Sequence, residues 1–74
     1  MHDRLLMPPD GFTRPAAAAK FAGVSKATMW RWAKDGTFPR PFPISPKASA
    51  IRNADLLEWA EDPIGWAARH KASL

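Results

Sequence analysis

The 74-residue sequence predicts a mainly α-helical domain with a small two-stranded β wing, a winged helix-turn-helix, and three observations carry that prediction. Two short amphipathic stretches are separated only by Gly23-Val24-Ser25, the spacing of a helix-turn-helix. A proline-punctuated stretch over residues 37–53 follows, with apolar residues alternating among the prolines. Helical periodicity then resumes after Asn53.

Each element has its own local cause. Residues 1–11 contain prolines and glycine without a sustained period and read as a mobile or loosely pinned arm. Thr13 is the expected N-cap of the first helix, with Pro15 in its first turn and a hydrophobic staple between Phe12 and Ala17. That helix runs over 16–22, buries Ala17, Ala18 and Phe21, and stops at Gly23. Ser25 caps the second helix and Gly36 ends it. Pro39, Pro41, Pro43 and Pro46 exclude helix and central strand, leaving an extended edge segment in which Phe42 and Ile44 face inward. After a turn at Ser45-Pro46-Lys47, Ser49-Ala50-Ile51-Arg52 returns as the second strand. Such a hairpin is marginal alone and leans on the helices through Phe38, Phe42, Ile44 and Ile51. Asn53 is the expected cap of a third helix, 54–61, with Leu56, Trp59 and Ala60 inside. Asp62-Pro63 resembles another cap, opening a last short helix that carries Ile64, Trp66 and Ala67. The organisation is therefore an arm (1–11), a winged helix-turn-helix (12–62) and a C-terminal short helix or tail (63–74), in which Trp66 is open between core, dimer contact and neither.

Charge is distributed unevenly. Residues 13–53 carry Arg14, Lys20, Lys26, Arg31, Lys34, Arg40, Lys47 and Arg52 against Asp35 alone. Residues 54–62 carry Asp55, Glu58, Glu61 and Asp62 with no base. One-signed segregation of this kind steers a polyanion onto one surface. The absence of cysteine removes disulfides and thiolate metal sites and fits a reducing cytoplasm. No apolar run approaches the roughly 18 residues of a membrane span, and the start Met1-His2-Asp3-Arg4 reads as neither signal nor transit peptide. The expectation is a cytoplasmic, nucleoid-associated protein with no membrane partner.

The second helix holds two tryptophans two residues apart, which one helical face cannot share. With Met29 at zero and about 100° per residue, Ala33 falls at about 40° and Trp32 at about 300°, defining the buried face. Arg31, Ala27 and Lys34 lie opposite, and Trp30 and Thr28 sit on the shoulders. That outward set suits a major groove: arginine donates twice to guanine, and threonine and alanine methyls meet the thymine methyl. Lys26 and the helix N-terminus suit a phosphate. Trp30 either donates its indole N–H to a phosphate or packs against Phe38 or the wing. The expected DNA-contacting residues are Lys26, Ala27, Thr28, Trp30, Arg31 and Lys34 on the helix. Arg40, Lys47, Ser49 and Arg52 are expected on the wing, toward backbone or minor groove.

The run Ser25, Thr28, Met29-Trp30-Arg31, Asp35-Gly36 and Phe38-Pro39, followed by Asn53 to Trp59, resembles the AlpA-type phage regulators. These fall in the MerR-like winged helix-turn-helix group that also includes excisionases, and the resemblance covers roughly residues 12–61. It implies sequence-specific binding of double-stranded DNA in a phage or mobile-element role, as a transcriptional regulator of a recombinase gene or as an excisionase that bends attachment-site DNA. It also implies cooperative binding at adjacent sites or self-association, and a recombinase or other phage protein as partner. Family wings are often rich in glycine and arginine, whereas this one, Ser45-Pro46-Lys47-Ala48-Ser49, has one base at its tip.

A similar winged domain in phage terminase small subunits is one alternative. The other is a protein-interaction module using the acidic helix and the C-terminal tail. An enzyme is not expected. His2 and His70 lie in terminal segments and no glycine-rich phosphate loop appears, so neither a metal nor a cofactor is expected. Asp55, Glu58 and Glu61 have the spacing of a solvated helix face.

Overall fold

The computed structural model describes residues 8–71. Residues 1–7 of the expected arm and residues 72–74 of the expected tail lie outside them. In chain order the elements are β1 (Phe12–Thr13), α1 (Pro15–Ala22), α2 (Lys26–Asp35), β2 (Phe42–Ser45), β3 (Ala48–Arg52), α3 (Asn53–Glu61) and α4 (Pro63–Lys71).

Glycines set the ends of α1 and α2. Gly23 and Gly36 adopt φ of 79° and 87°, a region that L side chains disfavour. At the first, the N–H of Gly23 donates to Lys20 O (3.1 Å) and that of Val24 to Ala19 O (3.0 Å). At the second, Gly36 N–H donates to Ala33 O (3.3 Å) and Thr37 N–H to Trp32 O (3.0 Å). Both pairs form the double closure of a Schellman motif, which satisfies carbonyls that a helix end leaves open. Ser25 caps α2 as expected: its Oγ accepts from Thr28 N–H at 3.1 Å.

The start of α1 differs from expectation. Thr13 is not its cap; Arg14 holds that position with no side-chain cap bond, and Pro15 follows in the first turn. Thr13 instead lies in β1 and donates its hydroxyl to Asn53 Oδ1. The staple between Phe12 and Ala17 is also absent. Ala17 is exposed, and the Phe12 ring meets Phe42 edge-on at 5.8 Å. The buried residues of α1 are Ala18 and Ala19, with Phe21 and Ala22 half-buried beside them. Once Thr13 is held in a strand, the stripe turns by one residue from the expected Ala17 and Ala18.

The sheet has three antiparallel strands in the order β1-β3-β2, one more than the expected hairpin. β1 pairs through Phe12 opposite Arg52 and Thr13 opposite Ile51. β2 pairs through Phe42 opposite Ala50, Pro43 opposite Ser49 and Ser45 opposite Ala48. Pro43 in β2 is tolerated because β2 is an edge strand. Ile51 points into the helical core, whereas Phe42 is only half-buried and Ile44 is 44% exposed, against the expected inward placement of both. The pairing leaves Ile44 with no residue opposite, so the alternation that would have turned it inward is broken.

Asn53 is not the cap of α3 but its first helical residue, and it is 5% exposed. Its backbone N–H donates to Gly11 O and its Nδ2 to Asp10 O, both at 3.0 Å. Together with the Thr13 hydroxyl, these bonds pin the chain before β1 to the start of α3. Leu56 and Trp59 are buried as expected, and Trp59 Nε1 donates to Thr37 O at 3.1 Å. The Asp62 carboxylate accepts from Gly65 N–H at 3.0 Å and opens α4, which buries Trp66 in the core but leaves Ile64 84% exposed. The core joins Ala18, Met29, Phe38, Ile51, Leu56, Trp59 and Trp66. At its centre the Phe38 ring lies 4.8 Å edge-on from Trp59 and 6.4 Å from Trp32.

Candidate nucleic-acid interface

The orientation of α2 follows from what it buries. Met29 is fully enclosed and Ala33 nearly so, and half-buried Trp32 packs against the core beside Phe38. Lys26, Ala27, Trp30, Arg31 and Lys34 are exposed on the remaining surface. This contiguous outward face combines one guanidinium, two ammonium groups, a methyl and an indole. Thr28, half-buried, is engaged at the cap, where its Oγ1 accepts from the Ser25 hydroxyl at 3.0 Å. The side chain that fits a thymine methyl is therefore already held by the local geometry of the helix start.

Trp30 is 42% exposed, and Phe38 is occupied by Trp32 and Trp59, so Trp30 belongs to the surface. It lines a shallow cleft of about 420 Å³ with Ala33, Lys34 and Arg40.

The sequence groups Arg40 with the wing, but its guanidinium lies at the end of α2. Nε and Nη2 donate to Ala33 O at 3.4 and 3.5 Å, and Nη2 reaches Lys34 O at 3.5 Å. A cation over the last carbonyls of a helix meets the negative end of its dipole and its unsatisfied acceptors. Arg40 thus brings a second guanidinium beside Lys34. The signal in the sequence was an arginine four residues beyond a helix-ending glycine, and nothing local specified that the chain would fold it back.

The wing residues separate into two places. Lys47 is exposed in the Pro46-Lys47 turn between β2 and β3. Arg52 sits at the other end of β3, exposed, with its guanidinium carbon 5.7 Å from the Phe42 ring centroid. Such cation–π contacts hold the side chain in place without neutralising it. Ser49 is half-buried opposite Pro43, between the two bases. Ile44 and Phe12, both exposed beside these cations, were not expected at the surface.

Two further clefts are lined largely by residues outside α2. A cleft of about 320 Å³ is lined by Trp32, Thr37, Trp59, Pro63, Ile64 and Ala67. A second, of about 380 Å³, runs past Arg40, Asp55, Trp66 and His70, where the imidazole stacks on the Trp66 indole at 3.7 Å. Among the described residues, no group of three or more His, Cys, Asp or Glu side chains is placed to hold a metal ion. Nor is any helix there long and apolar enough to cross a membrane.

No curated protein and no solved structure matches the chain. The family model described as prophage CP4-57 regulatory protein (AlpA) matches residues 11–64, which takes in β1 through the start of α4 and every residue expected to contact DNA. The chain belongs to the AlpA family of prophage regulatory proteins.

Proposed function

We propose that this prophage regulatory protein binds double-stranded DNA sequence-specifically, with α2 in the major groove. The observation that supports this reading most is the division of α2: Met29 and Ala33 are sealed, while Lys26, Trp30, Arg31 and Lys34 share the open face. Arg31, fully outward, is the residue with the geometry for a bidentate contact to guanine. Lys26, Lys34 and Arg40 meet phosphates on either side and set the register. Lys47, Ser49 and Arg52 extend the contact along the wing to backbone or minor groove.

The biological outcome proposed is regulation of a phage or mobile-element gene, or excision assisted by DNA bending, in the bacterial cytoplasm and on the nucleoid. One short helix reads few base pairs, so copies acting together at adjacent sites would supply the discrimination that one domain lacks. A recombinase or another phage protein has a candidate surface in the cleft beside Ile64, with Glu61 and Asp62 next to it.

The test is affinity for duplex DNA across a range of salt concentration. Each neutralised phosphate contributes about −0.9 to the log–log slope, so the five bases Lys26, Lys34, Arg40, Lys47 and Arg52 predict a slope of about −4.5. A flat response would refute the reading and favour a protein-interaction role for the acidic helix.

A further inference from the structure

The wing presents an apolar side chain where binding to a polyanion would favour a cation. On β2, Pro43 pairs with Ser49 and the next pair is Ser45 with Ala48, so Ile44 is an inserted residue with no partner across the ladder. An insertion of this kind bends the strand, tightens its twist and re-aims the side chain. Here the outcome is an isoleucine 44% exposed, with exposed Pro43, Pro46 and Lys47 around it.

Two properties suit that side chain to penetration rather than to loose contact. A β-branched residue is stiff at χ1, and the flanking prolines fix their own φ, so little freedom remains to be lost on binding. The root of the strand is braced as well: Phe42 contacts the Phe12 ring edge at 5.8 Å and carries the Arg52 guanidinium at 5.7 Å. The apolar surface also lies with the bases. Trp30 and Ile44, two of the four large hydrophobics exposed among the described residues, fall within the basic stretch of residues 13–53.

We propose that Ile44 is an apolar wedge. With Lys47 anchored on a phosphate, it enters the minor groove beside the site read by α2, partly unstacks one base step and bends the duplex toward the major groove. Minor-groove proteins insert Ile, Leu, Phe, Met or Pro in this way, and the bend wraps more of the protein surface. The step that yields most cheaply is a pyrimidine–purine step such as TA or CA, so Ile44 confers a preference for one at a fixed distance from the α2 contacts, without any hydrogen bond to a base. This inference rests on the DNA-binding reading.

The experiment uses the full chain and a duplex recovered by selection, labelled at both ends for energy transfer to report the bend. Wild type and Ile44→Leu are expected to bend it equally. Ile44→Thr, which keeps the β-branch but not the apolar tip, is expected to lose the bend and bind about tenfold more weakly, as when a contact that repays unstacking is removed. Its salt slope and the bases read by α2 should not change. Lys47→Ala should lower the slope magnitude by about 0.9, which Ile44→Thr does not. Replacing the flexible step by AA in the duplex should weaken wild type and leave Ile44→Thr indifferent, a comparison that does not depend on any variant's stability. A full bend with Ile44→Thr, or equal binding of wild type to both duplexes, would overturn the wedge while leaving DNA binding intact. Failure of wild type to bind any duplex would instead defeat the reading on which the wedge rests.

Discussion

Asn53 commits its whole side chain to the entry of the fold, accepting from Thr13 and donating to the backbone of Asp10. Buried at 5% exposure, it cannot be shortened without leaving polar groups unpaired. Asn53→Ala is expected to cost about 1–3 kcal/mol in denaturant titration and to loosen β1 before the helices. The two core indoles give a sharper contrast. Trp59 Nε1 has the Thr37 carbonyl at 3.1 Å, whereas Trp66 Nε1 is buried with no hydrogen-bond partner among the described residues. Both lose ring volume on substitution by Phe, but only Trp59→Phe also removes the donor to a half-buried carbonyl. Trp59→Phe should therefore exceed Trp66→Phe in destabilisation by about 1 kcal/mol, read from the two denaturation midpoints. Met29, fully enclosed on the inner side of α2, should cost about 2–5 kcal/mol when cut to Ala.

At the level of elements, α2 is held in place by its two ends. Ser25→Ala removes the side-chain acceptor for Thr28 N–H and should cost about 1 kcal/mol in thermal melts. Gly36→Ala forces a Cβ into a φ of 87° and should cost about 1–2 kcal/mol. Both changes would weaken DNA binding through the same frayed helix. These ends were legible because their causes are local: a serine before the helix and a glycine after it act within one turn. The strand β1 was not legible. Two residues give no period, and the partner strand lies some forty residues away, so Thr13 read as a cap. Ile44 failed for a related reason, since alternation assumes an unbroken ladder and the inserted residue is specified only by the pairing with β3. Of the candidate interface, the outward set on α2 followed from the helical wheel alone. Arg40 did not, because its return to the Ala33 and Lys34 carbonyls depends on the path of the chain after Gly36.

Over the whole molecule, the bases of residues 13–53 and the acids of residues 54–62 lie on successive elements rather than mixed along the chain. The acidic α3 packs on the sheet and on α4, while the basic α2 turns its open face away from the core. On the proposed DNA-binding reading, such separation repels the duplex from one part of the surface and draws it to another, which orients the encounter before any base is read. The C-terminal helix adds a tryptophan to the core and an 84% exposed isoleucine to the surface. Core packing and exposed apolar surface thus meet in an element whose greater part lies beyond the matched residues.

The most direct measurement is the ratio of affinities for a duplex recovered by selection and for a scrambled duplex, in wild type and in Arg31→Ala. With Arg31 as the base-reading residue, the substitution should remove about 1–3 kcal/mol of that preference, leave the melting temperature where it was and hold affinity for the scrambled duplex nearly constant. An unchanged ratio in a folded Arg31→Ala protein would contradict the account, because the outward side of α2 would then not be the surface that distinguishes one sequence from another.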